Sequence, residues 1–209
     1  MTTKAELQDL FYSTQEEWKY IQLYEENIVY FNGLLQTGRV DEIEFVLPIK
    51  LLKYADPLNK TGNYSKALNV LEEVDRDLTK LKGKSKEYKS YKEFMTFLKG
   101  VCLGRLKHYK SSNREFRKLL TVNPDNEKYL DWYRSNQKNQ IHKFTWPLVM
   151  GGIAAYLIVL GIEFTLKDVS LPWVRTATLV VAFLALVIPS LLMFLINRTK
   201  PNRIKGTAA

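Results

Sequence analysis

Two apolar runs near the C-terminal end constrain this chain more than any other feature. "FTWPLVMGGIAAYLIVLGIEFTL" covers 144–166 with Glu163 as its one ionisable side chain, and "TATLVVAFLALVIPSLLMFLIN" covers 176–197 with none. Their lengths, 23 and 22 residues, match the roughly 20 that a helix needs to cross a bilayer. Backbone polar groups find no water in hydrocarbon, so a single spanning segment of this size must be helical. Nothing else in the chain could cover two such uniformly apolar helices inside a soluble core. The expectation is therefore a pair of transmembrane helices, 144–166 and 176–197. A short loop at 167–175 would join them as an antiparallel hairpin.

Basic residues flank this block unevenly. Arg134, Lys138 and Lys143 precede the first run, and Arg198, Lys200, Arg203 and Lys205 form a basic tail at 198–209. The connection holds Lys167 and Arg175 against Asp168. By the positive-inside rule both termini face the cytoplasm and the loop does not. Trp146 and Trp173 suit the two interfaces. An intramembrane carboxylate suggests a proton relay, but Glu163 lies one turn from the end of its run with Lys167 at i+4. Snorkelling to the interface is the simpler role. Gly151 with Ala155 and the lone Pro189 read as packing and kink positions rather than a pore.

The 143 residues before the hairpin have a different composition. They carry 25 basic and 20 acidic groups and are long enough to bury one core. Their start, "MTTKAELQDLFYSTQEEW", lacks the continuous apolar stretch of a secretory signal. A single cysteine, Cys102, excludes an internal disulfide and reads as an inert core thiol. No period-2 alternation stands out, so the block reads as all-α with about six helices.

Apolar residues place those helices. Leu7, Phe11, Thr14, Trp18, Ile21, Ile28, Phe31 and Leu35 form a stripe that predicts one long first helix, opened by a Thr3/Glu6 capping box and closed at Gly38. A second helix carries Ile43, Leu47, Leu51, Tyr54 and Leu58, with a kink expected at Pro48. After Gly62 and Asn63 comes a third with Ala67, Leu71, Val74 and Leu78, ended by Gly83. A fourth carries Tyr88, Tyr91, Phe94, Leu98, Val101 and Cys102, and a fifth carries Tyr109, Ser112, Phe116, Leu119 and Leu120. "EKYLDWYRSNQ" opens a sixth.

The third and fifth helices open alike. Gly62-x-Tyr64-x-x-Ala67 aligns with "KHYKSS", so Tyr109 falls opposite Tyr64, Ser112 opposite Ala67, Phe116 opposite Leu71 and Leu119 opposite Val74. The first copy carries Ala55 upstream; the second carries Gly100 and Leu103 upstream and Pro124 downstream. Small residues at these places let adjacent helices approach while an aromatic fills the groove beside them. This arrangement resembles the tetratricopeptide repeat (TPR), a helix-turn-helix unit of about 34 residues. Its copies here cover approximately 48–81 and 93–126. The first lacks the terminal proline and the second lacks a glycine in its turn.

The resemblance implies a partner-binding groove lined by the first helix of each repeat. Carried over position by position, it comprises Leu52, Asp56, Asn59 and Lys60, then Phe97, Val101 and Arg105. A mixed apolar and basic groove suits an acidic or amphipathic protein segment. Leu52 and Asp56 stand where the carboxylate clamp of chaperone-binding members has a base and an amide, so a chaperone tail is not the expected ligand.

Charge adds a second surface. Residues 1–77 hold 8 basic and 14 acidic groups, whereas 78–143 hold 17 and 6. Lys80, Lys82, Lys84, Lys86, Lys89 and Lys92 crowd one stretch and suit anionic lipid headgroups. Tyr88, Tyr91 and Tyr109 interleave with the lysines but fall on the core side by periodicity, which disfavours nucleic acid. Catalytic signatures are missing: His108 and His142 are far apart, and there is no HExxH, CxxC, phosphate-cradling loop or nucleophile elbow. No cofactor or metal is expected. The reading is a membrane-anchored adaptor that recruits a protein to the cytoplasmic face, or alternatively an accessory subunit whose hairpin makes the specific contact.

Overall fold

The computed structural model describes residues 4–165 and 172–198, whose regular elements are all helices, with no strand among the described residues. The expected loop at 167–175 lies largely outside the described residues, as do Thr3, Lys167, Asp168 and the tail beyond Arg198. Two compact units divide the chain, residues 1–130 and 131–209.

The helices of the first unit are α1 (Lys4–Ser13), α2 (Glu17–Glu26), α3 (Ile28–Gln36), α4 (Val40–Pro48), a π-helical segment (Ile49–Ala55) and α5 (Asp56–Lys60). Then follow α6 (Tyr64–Thr79), α7 (Tyr88–Arg105), α8 (Tyr109–Val122) and the first turn of α9 (Glu127–Thr165). The count exceeds the six expected, chiefly because the long first helix is three helices. The hydroxyls of Ser13 and Thr14 donate to the Leu10 carbonyl, a local bond that competes with helix continuation. Glu16 then adopts an extended conformation. The break resets the helical register. Tyr20 and Tyr24 face the core in place of Trp18, which is 55% exposed, and of Ile28. Phe11, Phe31, Tyr24 and Tyr54 build a run of neighbouring rings, ending in a Tyr24–Tyr54 stack at 4.2 Å.

Pro48 neither breaks nor simply kinks its helix. Helical backbone runs on through Pro48, the last residue of α4, directly into the π segment. Ile43, Leu47, Leu51, Tyr54 and Leu58 are all buried, as their spacing predicts.

The loops before α6 and α8 are built alike. Asn63 N–H donates to the Leu58 carbonyl at 2.8 Å, and His108 N–H to that of Leu103 at 2.9 Å. Gly62 N–H donates to Asn59, and Lys107 N–H to Gly104, at 3.2 and 3.0 Å. Each pair is a Schellman closure of the preceding helix. The left-handed residue it requires is Gly62 (φ +86°) in one copy and Lys107 (φ +63°) in the other. Ala67 N–H then bonds to Asn63, and Ser112 N–H to His108, to start the next helix. Ala55 and Ala67 are fully buried. In the second copy the Ser112 hydroxyl donates to the Gly100 carbonyl at 2.6 Å, and a Cβ on Gly100 would sit 3.0 Å from the Phe116 ring.

The sixth expected helix does not stop at 143. It belongs to α9, whose 39 residues run from Glu127 to Thr165 through Pro147. Among the described residues this is the one helix long and apolar enough to cross a membrane. The second apolar run lies in α10 (Pro172–Arg198). Within the second unit the less exposed residues of the α9 run, Val149, Gly152, Tyr156, Val159 and Glu163, recur at three- and four-residue steps. Gly151 and Ala155 lie on a different, exposed face, and nothing lies within 4 Å of where a Gly151 Cβ would stand. Glu163 reaches Arg175 of α10 at 3.7 Å.

Candidate functional site

The first helices of the two helix pairs meet directly. The Cys102 thiol on α7 donates to Asn59 Oδ1 on α5 at 3.6 Å. Burial pushes that thiol up to about 12, so at neutral pH it is protonated and unreactive.

The residues assigned to a groove take different places. Lys60 is half-exposed and bridges Asp56 at 2.9 Å and Glu17 of α2 at 2.8 Å. Those hydrogen bonds, Glu17 first, raise its pKa. Leu52 and Arg105 are exposed. Phe97 and Val101 are only 9% and 6% exposed. Phe97 packs edge-on against Phe116, with Tyr129 at 5.7 Å and the Lys128 ammonium 4.3 Å above its ring. Glu93 of α7 accepts from Asn123 at 2.7 Å and Tyr129 at 2.8 Å, which fastens the first turn of α9 across the same helix. Of these positions Leu52, Lys60 and Arg105 are exposed, whereas the Asp56 side chain is largely covered and paired with Lys60; α2 packs beside the π segment and α5.

The lysine stretch divides by partner. Lys80 pairs with Asp77 at 2.9 Å, and Lys92 pairs with Asp75. Lys82, Lys84, Lys86 and Lys89 are exposed, and no carboxylate among the described residues comes within ion-pair distance of them. Gly83 (φ +76°) turns the chain between the first two. Tyr88 and Tyr91 beside them are half-buried.

A buried charge cluster went unseen in the sequence. Lys50, on the π segment, has a side chain only 5% exposed; its ammonium lies 2.8 Å from Glu73 and 3.8 Å from Asp77 on α6. The Tyr24 hydroxyl is buried beside them without a hydrogen-bond partner, and burial raises its pKa. Glu25 accepts from Lys66 at 2.7 Å and from Tyr54 at 3.1 Å nearby. The available signal was a lysine among Ile49, Leu51 and Tyr54 with carboxylates four residues apart on α6. Among the described residues no group of three metal-ligating side chains converges. His108 opens α8 through its backbone carbonyl, with no side-chain capping bond, and His142 lies 5.5 Å from Trp146.

No protein-family model, curated protein or solved structure matches this chain.

Proposed function

We propose that this chain is a membrane-anchored, non-enzymatic adaptor, in which a TPR-like bundle recruits a protein partner and a C-terminal hairpin holds it at the bilayer. The observation that carries the reading is the duplicated turn: the bonds around Gly62 and Lys107 repeat at a fixed offset, each opening a helix that packs through a small residue. Stacked helix pairs of this kind are used across proteins as peptide-binding scaffolds. The second support is the span-length α9 in the same chain. In this reading α10 is the second span and both termini are cytoplasmic, as the basic flanks argue. Leu52, Lys60 and Arg105 face the partner, an acidic or amphipathic segment, with Asp56 holding Lys60 in place.

One observation favours a second reading, an accessory subunit whose hairpin makes the specific contact. The small residues Gly151 and Ala155 line an exposed face of α9 with nothing against Gly151, and such faces let transmembrane helices approach closely.

In-cell crosslinking and mass spectrometry separate the two, comparing the full chain with a version carrying an unrelated hairpin. Partners that survive the exchange support the adaptor. Partners lost with the native hairpin overturn it in favour of the membrane subunit.

A further inference from the structure

We propose that the connection between α6 and α7 is a docking surface for the anionic headgroups of a lipid bilayer, carried by Lys82, Lys84, Lys86 and Lys89. The inference rests on the membrane anchor of the proposed function and adds a second, electrostatic attachment to it.

Selective pairing is the first argument. The lysines bounding the stretch are neutralised in place, Lys80 by Asp77 and Lys92 by Asp75. The four between them are left exposed. Between 80 and 92 the one acidic residue is Glu87. Four ammonium groups within eight residues repel one another, and a solvated surface gains nothing in stability from that crowding. An external anion relieves it.

The chemistry of the surface then selects among anions. A protein partner needs an apolar anchor set into a pocket, yet Leu81 is fully buried and the exposed side chains of 82–89 are lysine and Glu87. Single-stranded nucleic acid needs open aromatic faces for stacking, whereas Tyr88 and Tyr91 are half-buried. Every cation in the stretch is lysine and none is arginine. Lysine acts as a strongly hydrated point charge rather than a bidentate fork, which fits a diffuse field of headgroups better than one phosphate held in fixed geometry. Each lysine near an anionic leaflet favours association by about fivefold.

The test uses the full chain, purified in mild detergent and reconstituted into two kinds of vesicle: phosphatidylcholine alone, and phosphatidylcholine mixed with phosphatidylserine. Acylation of each lysine is followed by mass spectrometry. The expected result is severalfold slower labelling of Lys82, Lys84, Lys86 and Lys89 on the anionic vesicles, no change at Lys19 in the acidic half, and loss of the protection in high salt. Equal labelling on both vesicles overturns the proposal. Equal protection on neutral vesicles by added inorganic phosphate also overturns it, since the ligand is then a free anion. A reporter independent of the lysines is a fluorophore at Ser90→Cys, with a quencher on the lipid headgroups. Quenching should rise on anionic vesicles and return to the neutral level when all four lysines are changed to Gln; quenching that persists in that variant contradicts the assignment. A chain that fails to float with neutral vesicles after an alkaline wash contradicts the membrane anchor itself, whereas one that floats without lysine protection contradicts the docking surface alone.

Discussion

The Ser112 hydroxyl, fully buried on α8, donates to the backbone carbonyl of Gly100 on α7 at 2.6 Å. That bond holds the two helices of the second pair at a separation only glycine allows, with the Phe116 ring lying against the bare Cα. Gly100→Ala places a methyl 3.0 Å from two ring atoms and should cost about 1–3 kcal/mol, the usual range for overpacking. Ser112→Ala should cost less, about 0.5–1.5 kcal/mol, because the carbonyl it leaves is inside a helix. Urea unfolding followed by circular dichroism measures both, and Phe116→Leu combined with Gly100→Ala should recover part of the loss.

The duplicated turns predict opposite signs for one kind of substitution. Lys107 takes a left-handed conformation that glycine adopts freely and other residues at a cost of about 1–2 kcal/mol. Lys107→Gly should therefore stabilise the bundle, less the extra entropy glycine gives the unfolded chain. Gly62→Ala, at φ +86° with open space around its Cα, should destabilise by about 1 kcal/mol through backbone strain alone. Equal signs for the two substitutions would refute the correspondence between the turns.

Removing either side of the buried charge cluster has unequal consequences. The Lys50 side chain is 5% exposed whereas that of Glu73 is 47% exposed. Taking away Lys50 as Lys50→Met leaves Glu73 free to rehydrate. Taking away the carboxylates as Glu73→Gln with Asp77→Asn strands an ammonium in the interior. The double variant should be the less stable by about 1–3 kcal/mol, read as a lower urea midpoint at unchanged slope.

Cys102 and Tyr129, together with the buried Tyr24, make the bundle sensitive to alkali. Burial pushes Cys102 from 9.0 up to about 12, and burial followed by the Glu93 hydrogen bond pushes Tyr129 from 10.0 up to about 12. The unfolded chain loses these protons first, so the folded state binds more protons above the unfolded values and stability falls with rising pH. Their contribution is complete below about pH 9 and is lost as pH approaches about 12. Thermal unfolding from about pH 8 to about pH 11 should show a falling Tm, and Tyr129→Phe should flatten the slope. Iodoacetamide at about pH 8 should modify Cys102 far more slowly in the folded protein than in urea.

Helical class and the spacing of the core were readable where a single periodic pattern ran undisturbed. Leu71, Val74 and Leu78 on α6, and Ser112, Phe116 and Leu119 on α8, are buried as their spacing predicts. The break in the first helix is invisible in its periodicity, which carries no mark of a reset. Once Ser13 and Thr14 turn the backbone, the stripe resumes at Tyr20 and Tyr24, two residues past the Trp18 that an unbroken helix would bury. The π segment was equally hidden, since a helix that widens after Pro48 keeps Leu51, Tyr54 and Leu58 inward while also turning Lys50 inward. Of the expected groove, exposure at Leu52 follows from helical position. Burial of Phe97 depends on where Tyr129 and Lys128 dock, a long-range contact that no local pattern encodes.

Alkaline carbonate extraction of membranes from cells expressing the full chain shows whether the chain is integral to the bilayer. A peripheral protein held by charge alone is stripped by this treatment, whereas a chain anchored by a helix across the bilayer, as proposed for the apolar part of α9, remains with the lipid. The chain should stay in the membrane pellet. Its release into the supernatant would contradict an integral anchor, and with it the placement of the helical bundle at a bilayer.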